Sequence, residues 1–145
     1  MTDIAMIEAA AARGAGVVRE TPLLSSPFLD EIAGRPVFAK AEVLQHTGSF
    51  KFRGGWSAVS ALEPGVRARG VIAYSSGNHA QGVAHAAALH GVPAIIIMPR
   101  DAPALKIENT RALGAEVVLY DRAGGEKREV IGDRLVAERG MTLIK

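Results

Sequence analysis

From Gly70 onward, short apolar runs alternate with stretches of helical character, and each helical stretch closes on a glycine. Residues 71–74 (Val-Ile-Ala-Tyr), 94–98 (Ala-Ile-Ile-Ile-Met), 116–120 (Glu-Val-Val-Leu-Tyr) and 141–144 (Met-Thr-Leu-Ile) read as four strands. Residues 78–90, 102–113 and 126–139 read as the helices between them, ended by Gly91, Gly114 and Gly140. Strands that are apolar along their whole length have to be buried on both faces, and the intervening helices supply that cover. The pattern predicts an α/β fold: a parallel sheet with helices on both faces, joined by right-handed crossovers.

The first half of the chain is less regular. Ile4, Ile7 and Ala11 recur at helical spacing, which predicts an amphipathic helix over 2–12 ending near Gly14 and Gly16. Thr21-Pro22 enforces an extended approach, with Leu23-Leu24 continuing as a short strand. Ser26-Pro27 then opens a helix with a cap residue and a first-position proline, and Gly34 ends it. Residues 36–43 alternate as a strand with one polar edge, where Lys40 and Glu42 read as a salt bridge. Residues 49–62 read as a helix stopped by Glu63-Pro64-Gly65, with Trp56 as a core anchor.

With 48% hydrophobic and 22% charged residues, the chain has the composition of a soluble globular protein, and its 145 residues are enough to bury a substantial core. The net charge of +2 comes from scattered basic residues without a Lys/Arg block, so nothing argues for nucleic acid. The absence of cysteine removes disulfides and thiolate chemistry from consideration and fits a reducing compartment. No apolar run approaches the ~20 residues of a bilayer span, and the N-terminus lacks the features of a signal peptide. A cytoplasmic location and no membrane partner are the expectations. The spacing of His46, His79, His85 and His90 is not that of a metal site, and none is expected within this chain.

Two stretches carry chemistry. In Thr47-Gly48-Ser49-Phe50-Lys51-Phe52-Arg53-Gly54 a lysine stands between two phenylalanines. Packing an ammonium among aromatic rings penalises its charged form, and a neutral amine can attack a carbonyl, which is how Schiff-base lysines arise. A simpler reading makes Ser49 a helix cap and Lys51 an ordinary first-turn lysine. In Ser75-Ser76-Gly77-Asn78-His79 the chain leaves a strand and opens a helix. Its N–H groups and helix dipole suit an anion such as a substrate carboxylate, the simpler reading being a start capped by Ser76 or Asn78.

These two stretches, in this order, resemble the paired signature of the threonine/serine dehydratases and serine racemases, pyridoxal phosphate (PLP) enzymes of fold type II, the tryptophan synthase β-like fold. The resemblance extends from Thr21-Pro22-Leu23 through Lys40-Ala41-Glu42 to residues 114–118. It implies that Lys51 holds the cofactor as a Schiff base and then removes the substrate α-proton. It implies further that Phe50 packs on the pyridine ring, that Asn78 hydrogen-bonds the cofactor's 3′-oxygen, and that Ser75, Ser76, Gly77, Asn78 and His79 hold the substrate carboxylate. Ser76 matches the second acid/base of the racemases. The implied reaction is β-elimination from L-threonine, L-serine or a similar β-hydroxy amino acid, giving a 2-oxo acid and ammonia.

Members of the family are about twice this length. The resemblance therefore implies an N-terminal segment of an incomplete large domain (1–52) and a small α/β domain (53–145), a chain that is inactive alone, and a homo-oligomer when full length. The glycine-rich phosphate loop and any divalent-cation site are expected beyond residue 145. Two other readings stand beside the lyase: an amino-acid racemase using the same site, and a non-catalytic α/β module that binds an anion at the 75–78 loop.

Overall fold

The computed structural model describes residues 3–145. Its first element, α1 (Ile4–Gly14), starts where the Asp3 carboxylate accepts a hydrogen bond from the Met6 amide at 2.8 Å; Thr2, included in the expected helix, lies outside the described residues. Strand β1 (Leu23–Ser25) pairs antiparallel with β2 (Phe38–Lys40), and α2 (Pro27–Ala33) fills the connection. Pro27 opens α2, and Gly34 ends it in the left-handed conformation, at φ 66°, that glycine adopts without steric cost.

The strand expected over 36–43 is cut to three residues. After Lys40 the backbone tightens into a 3-10 turn at Glu42–Leu44 and a second at His46–Gly48, because Glu42 and Gln45 turn their side chains toward other parts of the chain. The helix expected over 49–62 is shorter at both ends: α3 covers Lys51–Ser60. Beyond it, Pro64 initiates a four-residue helix, α4 (Pro64–Arg67), at a place where the sequence indicated only a stop.

The second half follows the predicted alternation: β3 (Val71–Tyr74), α5 (Asn78–Leu89), β4 (Ala94–Pro99), α6 (Ala104–Ala112), β5 (Glu116–Tyr120), α7 (Arg128–Arg139) and β6 (Thr142–Ile144). Helices α6 and α7 each begin two residues later than expected. The four strands form a parallel sheet in the order β5-β4-β3-β6, with Ile72 opposite both Ile95 and Leu143. The chain thus steps outward from β3 to β5 and returns to lay β6 on the other side of β3. That reversal opens a crevice at the carboxyl ends of β3 and β6, where open parallel sheets bind ligands.

Alternate residues of the strands serve two cores. Val71, Ala73, Ile96 and Met98 face Phe52, Trp56 and Val59 of α3 and Ala80, Val83 and Ala87 of α5, all buried. Ile72, Ile95 and Ile97 face Leu135 of α7 on the opposite side. The helices on both faces confirm the α/β class. Burying each of the larger aliphatic side chains contributes roughly 1.5–3 kcal/mol. Among the described residues no helix is long and apolar enough to cross a membrane. The boundary expected between residues 52 and 53 falls inside α3, whose Phe52 and Trp56 both enter the core of the parallel sheet.

Candidate active site

The segment leading to Lys51 is fixed from both ends. Gln45 is buried; its Oε1 accepts from the amides of Arg19 and His46, each at 3.1 Å, and its Nε2 donates to the Arg19 carbonyl at 2.9 Å. Thr47 (φ 59°) and Gly48 (φ 69°) then both take the left-handed conformation, which is strained for a β-branched residue. The chain leaves them extended at Ser49 and enters α3 at Lys51. Ser49 does not cap the helix: its hydroxyl is buried and has no hydrogen-bond partner among the described residues.

Lys51 is half-buried, with Nζ 5.0 Å from the centroid of the Phe50 ring. The expected placement between two rings is not found. Phe52 turns into the core, where its ring meets His46 at 4.6 Å, His85 at 5.3 Å and Trp56 at 6.2 Å. Phe50, which is 58% exposed, stays with the lysine. Side chains one residue apart from Lys51 on either side of a helix start point in different directions, so one ring served the core and the other the surface. Among the described residues Lys51 has no carboxylate partner.

The 75–79 loop lies at the end of β3, beside the reversal in strand order. The Ser75 amide donates to the Ile97 carbonyl at 3.2 Å, and the Ser75 hydroxyl accepts from the Gly77 amide at 3.2 Å. Gly77 occupies the position before α5, and no side chain caps the helix, so the start capped by Ser76 or Asn78 is not what forms. Its first N–H groups therefore remain available at the positive end of the dipole. Ser76 and Asn78 are exposed; Ser75 and His79 are half-buried. Burial holds the His79 imidazole below its ordinary pKa, and the nearby Lys51 charge pushes it further the same way. The lysine and the loop thus share one electrostatic neighbourhood.

One residue without a sequence signal joins this neighbourhood. Lys106, on α6, is half-buried, and its Nζ lies 3.8 Å from where a Cβ on Gly77 would stand. Arg53, two residues past Lys51, takes Glu42 as its partner, with Nη2 2.7 Å from Oε1. The Lys40–Glu42 pair is therefore corrected: Lys40 Nζ donates to the Thr21 carbonyl at 2.5 Å, and the Thr21 hydroxyl donates to Glu42 at 2.6 Å. The Arg53 guanidinium holds the Glu42 carboxyl down at about 2, against a smaller opposing effect of burial.

The family model described as pyridoxal-phosphate dependent enzyme matches residues 15–145. The chain is 53% identical over 135 residues to an L-threo-3-hydroxyaspartate ammonia-lyase of a Pseudomonas species, covering 93% of this chain and 42% of that protein. It is 52% identical over 103 residues to an L-threonine ammonia-lyase of Thermotoga maritima, covering 71% and 26%. The solved structure of maize serine racemase superposes with a TM-score of 0.93 at 42% identity, over 99% of this chain and 44% of that one. The chain thus spans less than half the length of these relatives. The family model over residues 15–145, the identity to these relatives and the shared fold place the chain in the family of pyridoxal-phosphate dependent enzymes.

Proposed function

We propose that this chain carries the lysine-bearing part of an ammonia-lyase that converts L-threonine, L-serine or a 3-hydroxyaspartate to a 2-oxo acid and ammonia. The observation that carries the reading is Lys51, half-buried and without a carboxylate partner among the described residues, whose main chain packs against Gly82 of α5, one turn from the uncapped start of that helix at the reversal of the sheet.

The residues present fit the ring and linking end of pyridoxal phosphate. Lys51 is the amine that would hold it, Phe50 is the ring already beside that amine, and Asn78 presents an exposed amide at the head of α5. When bound, the cofactor supplies an electron sink for the bond broken at the substrate α-carbon. Lys51 Nζ takes the α-proton. The free N–H groups of the 75–79 loop bind the substrate carboxylate, assisted by the hydroxyls of Ser75 and Ser76 and by His79. The β-hydroxyl leaves as water, and hydrolysis of the remainder takes up one water to give the 2-oxo acid and ammonia.

A second reading, amino-acid racemisation, is favoured by the exposed Ser76 hydroxyl at the same loop and by the likeness to serine racemase. Product analysis separates the two: 2-oxo acid and ammonia for the lyase, the enantiomeric amino acid for the racemase. In the same reading residues 1–52 belong to a large domain and 53–145 to a small one, and the whole protein is a cytoplasmic homo-oligomer. Lys51→Ala in the holoenzyme is expected to reduce turnover at least a thousandfold while Lys106→Ala leaves Lys51 able to react; turnover by Lys51→Ala within a few-fold of wild type would remove the assignment.

A further inference from the structure

Helices α3 and α5 meet through glycine at two successive points, and the first of these points is the main chain of Lys51. A Cβ added at Gly82 would stand 2.7 Å from the Lys51 carbonyl oxygen, 2.8 Å from its carbonyl carbon and 3.1 Å from the Phe52 nitrogen. Further along the contact, a Cβ added at Gly55 would stand 2.7 Å from both the carbonyl carbon and oxygen of Gly82, and 2.9 Å from the Val83 nitrogen. All of these are backbone atoms, so no side-chain rotation relieves the overlap; one helix has to move relative to the other. Gly82 lies one turn into α5, the helix that Asn78 opens, and Gly55 lies one turn beyond Lys51 on α3.

We propose that Gly82, with Gly55, is a positioning residue: the glycine contact sets the distance between the Lys51 amine and the 75–78 loop. The inference rests on the functional reading above, because it treats Lys51 and that loop as two halves of one site. The two halves come from different helices, and no hydrogen bond between side chains ties them together among the described residues. Their spacing is therefore set by how closely the two backbones approach, and a methyl group at the contact widens it. Displacements of about an ångström at a reacting centre cost on the order of a hundredfold in rate.

Gly54 supplies the control. It is exposed on the same helix, and a Cβ there would meet nothing within 4 Å. Gly54→Ala raises helix propensity without touching α5. An effect of glycine content alone would move Gly54→Ala and Gly55→Ala alike.

The test compares wild-type holoenzyme with Gly82→Ala, Gly55→Ala and Gly54→Ala in kcat, KM, the visible absorption of the bound cofactor, and borohydride labelling of Lys51. Gly82→Ala and Gly55→Ala are expected to lose about tenfold to a hundredfold in kcat with KM changed less, and to alter the absorption band. Gly54→Ala should match wild type within twofold. If Gly82→Ala and Gly55→Ala keep kcat and the band while only their melting temperatures fall, the contact is structural and the proposal is overturned. Failure of both variants to fold overturns it too, since the proposal requires a register that shifts in a folded protein. Absence of borohydride label at Lys51 in the wild type would instead defeat the functional reading itself.

Discussion

Arg53 grips Glu42 through two hydrogen bonds, Nε to Oε2 at 2.8 Å and Nη2 to Oε1 at 2.7 Å. The same guanidinium donates to the Arg19 carbonyl at 3.2 Å, so the first turn of α3, the 3-10 turn after β2 and the extended segment after α1 converge on one side chain. Lys51 and Arg53 put two cations into the first turn of a helix, where the dipole opposes them and no acidic residue stands in the turn itself. Glu42 offsets that disadvantage from outside the helix.

Glu42→Gln is expected to destabilise the protein by about 1–2 kcal/mol at pH 7, toward the low end because Arg53 is partly exposed and solvent screens the pair. The folded pKa of Glu42 lies below its unfolded value, so the pair's contribution is present above about pH 4.3 and is lost as pH falls toward about 2. Urea unfolding of wild type and variant should therefore show a gap at pH 7 that narrows below pH 4. An equal gap at every pH would show that the carboxylate charge is not what matters.

His90 lies flat against Trp56, ring centroids 4.4 Å apart and planes 14° from parallel, and its Nε2 is buried without a partner among the described residues. Burial lowers its pKa, with the Arg67 charge adding to the effect. His85 is lowered as well, by burial first and then by the charges of His46, 5.2 Å away between ring centroids, and Arg19. Both imidazoles hold their proton less tightly in the folded protein than in the unfolded chain, so the unfolded chain binds more protons as pH falls to about 6.5 and below, and stability falls with it. His90→Phe keeps the stacked ring and removes one titrating group. The urea midpoint of the variant is expected to fall less than that of wild type between pH 7.5 and 5; parallel curves would contradict this account.

Gly132 on α7 makes room for Tyr74, the last residue of β3 before the 75–79 loop. A Cβ at Gly132 would overlap the Tyr74 ring, at 2.0 Å from Oη and 2.4 Å from Cε1. The ring is also held by Arg128, 5.6 Å from its centroid. Gly132→Ala is expected to cost about 1–3 kcal/mol through this overpacking, even though alanine is the better helix former. Thermal unfolding checks it: a melting temperature equal to or above that of wild type would show that the tyrosine yields freely.

What the sequence made legible was whatever depends on neighbours along the chain. The continuous apolar strands and the glycines after each helix predict the parallel sheet almost to the residue, because burial on both faces leaves a local pattern. The Lys51 motif and the 75–79 helix start are legible for the same reason. Tertiary partnerships are not. Glu42 stands two positions from Lys40 in sequence but bonds Arg53, eleven positions on, and β2 has already ended at Lys40. His46 and His85 are 39 positions apart and meet only because α5 packs on the turn before α3. Phe50 and Phe52 flank Lys51 in sequence, and only the start of α3 between them decides which ring reaches the core. Lys106 arrives beside Gly77 from a helix whose pattern marks nothing special about it.

The central claim is that Lys51 is the lysine that reacts with the cofactor, and the most direct measurement is borohydride reduction of the pyridoxal-phosphate-loaded protein followed by peptide mass mapping. One reduced adduct is expected, on Lys51. Lys106 is the informative alternative, since its amine reaches the same loop. Label on Lys106, label spread over Lys40, Lys106 and Lys127, or no label on Lys51 would contradict the account.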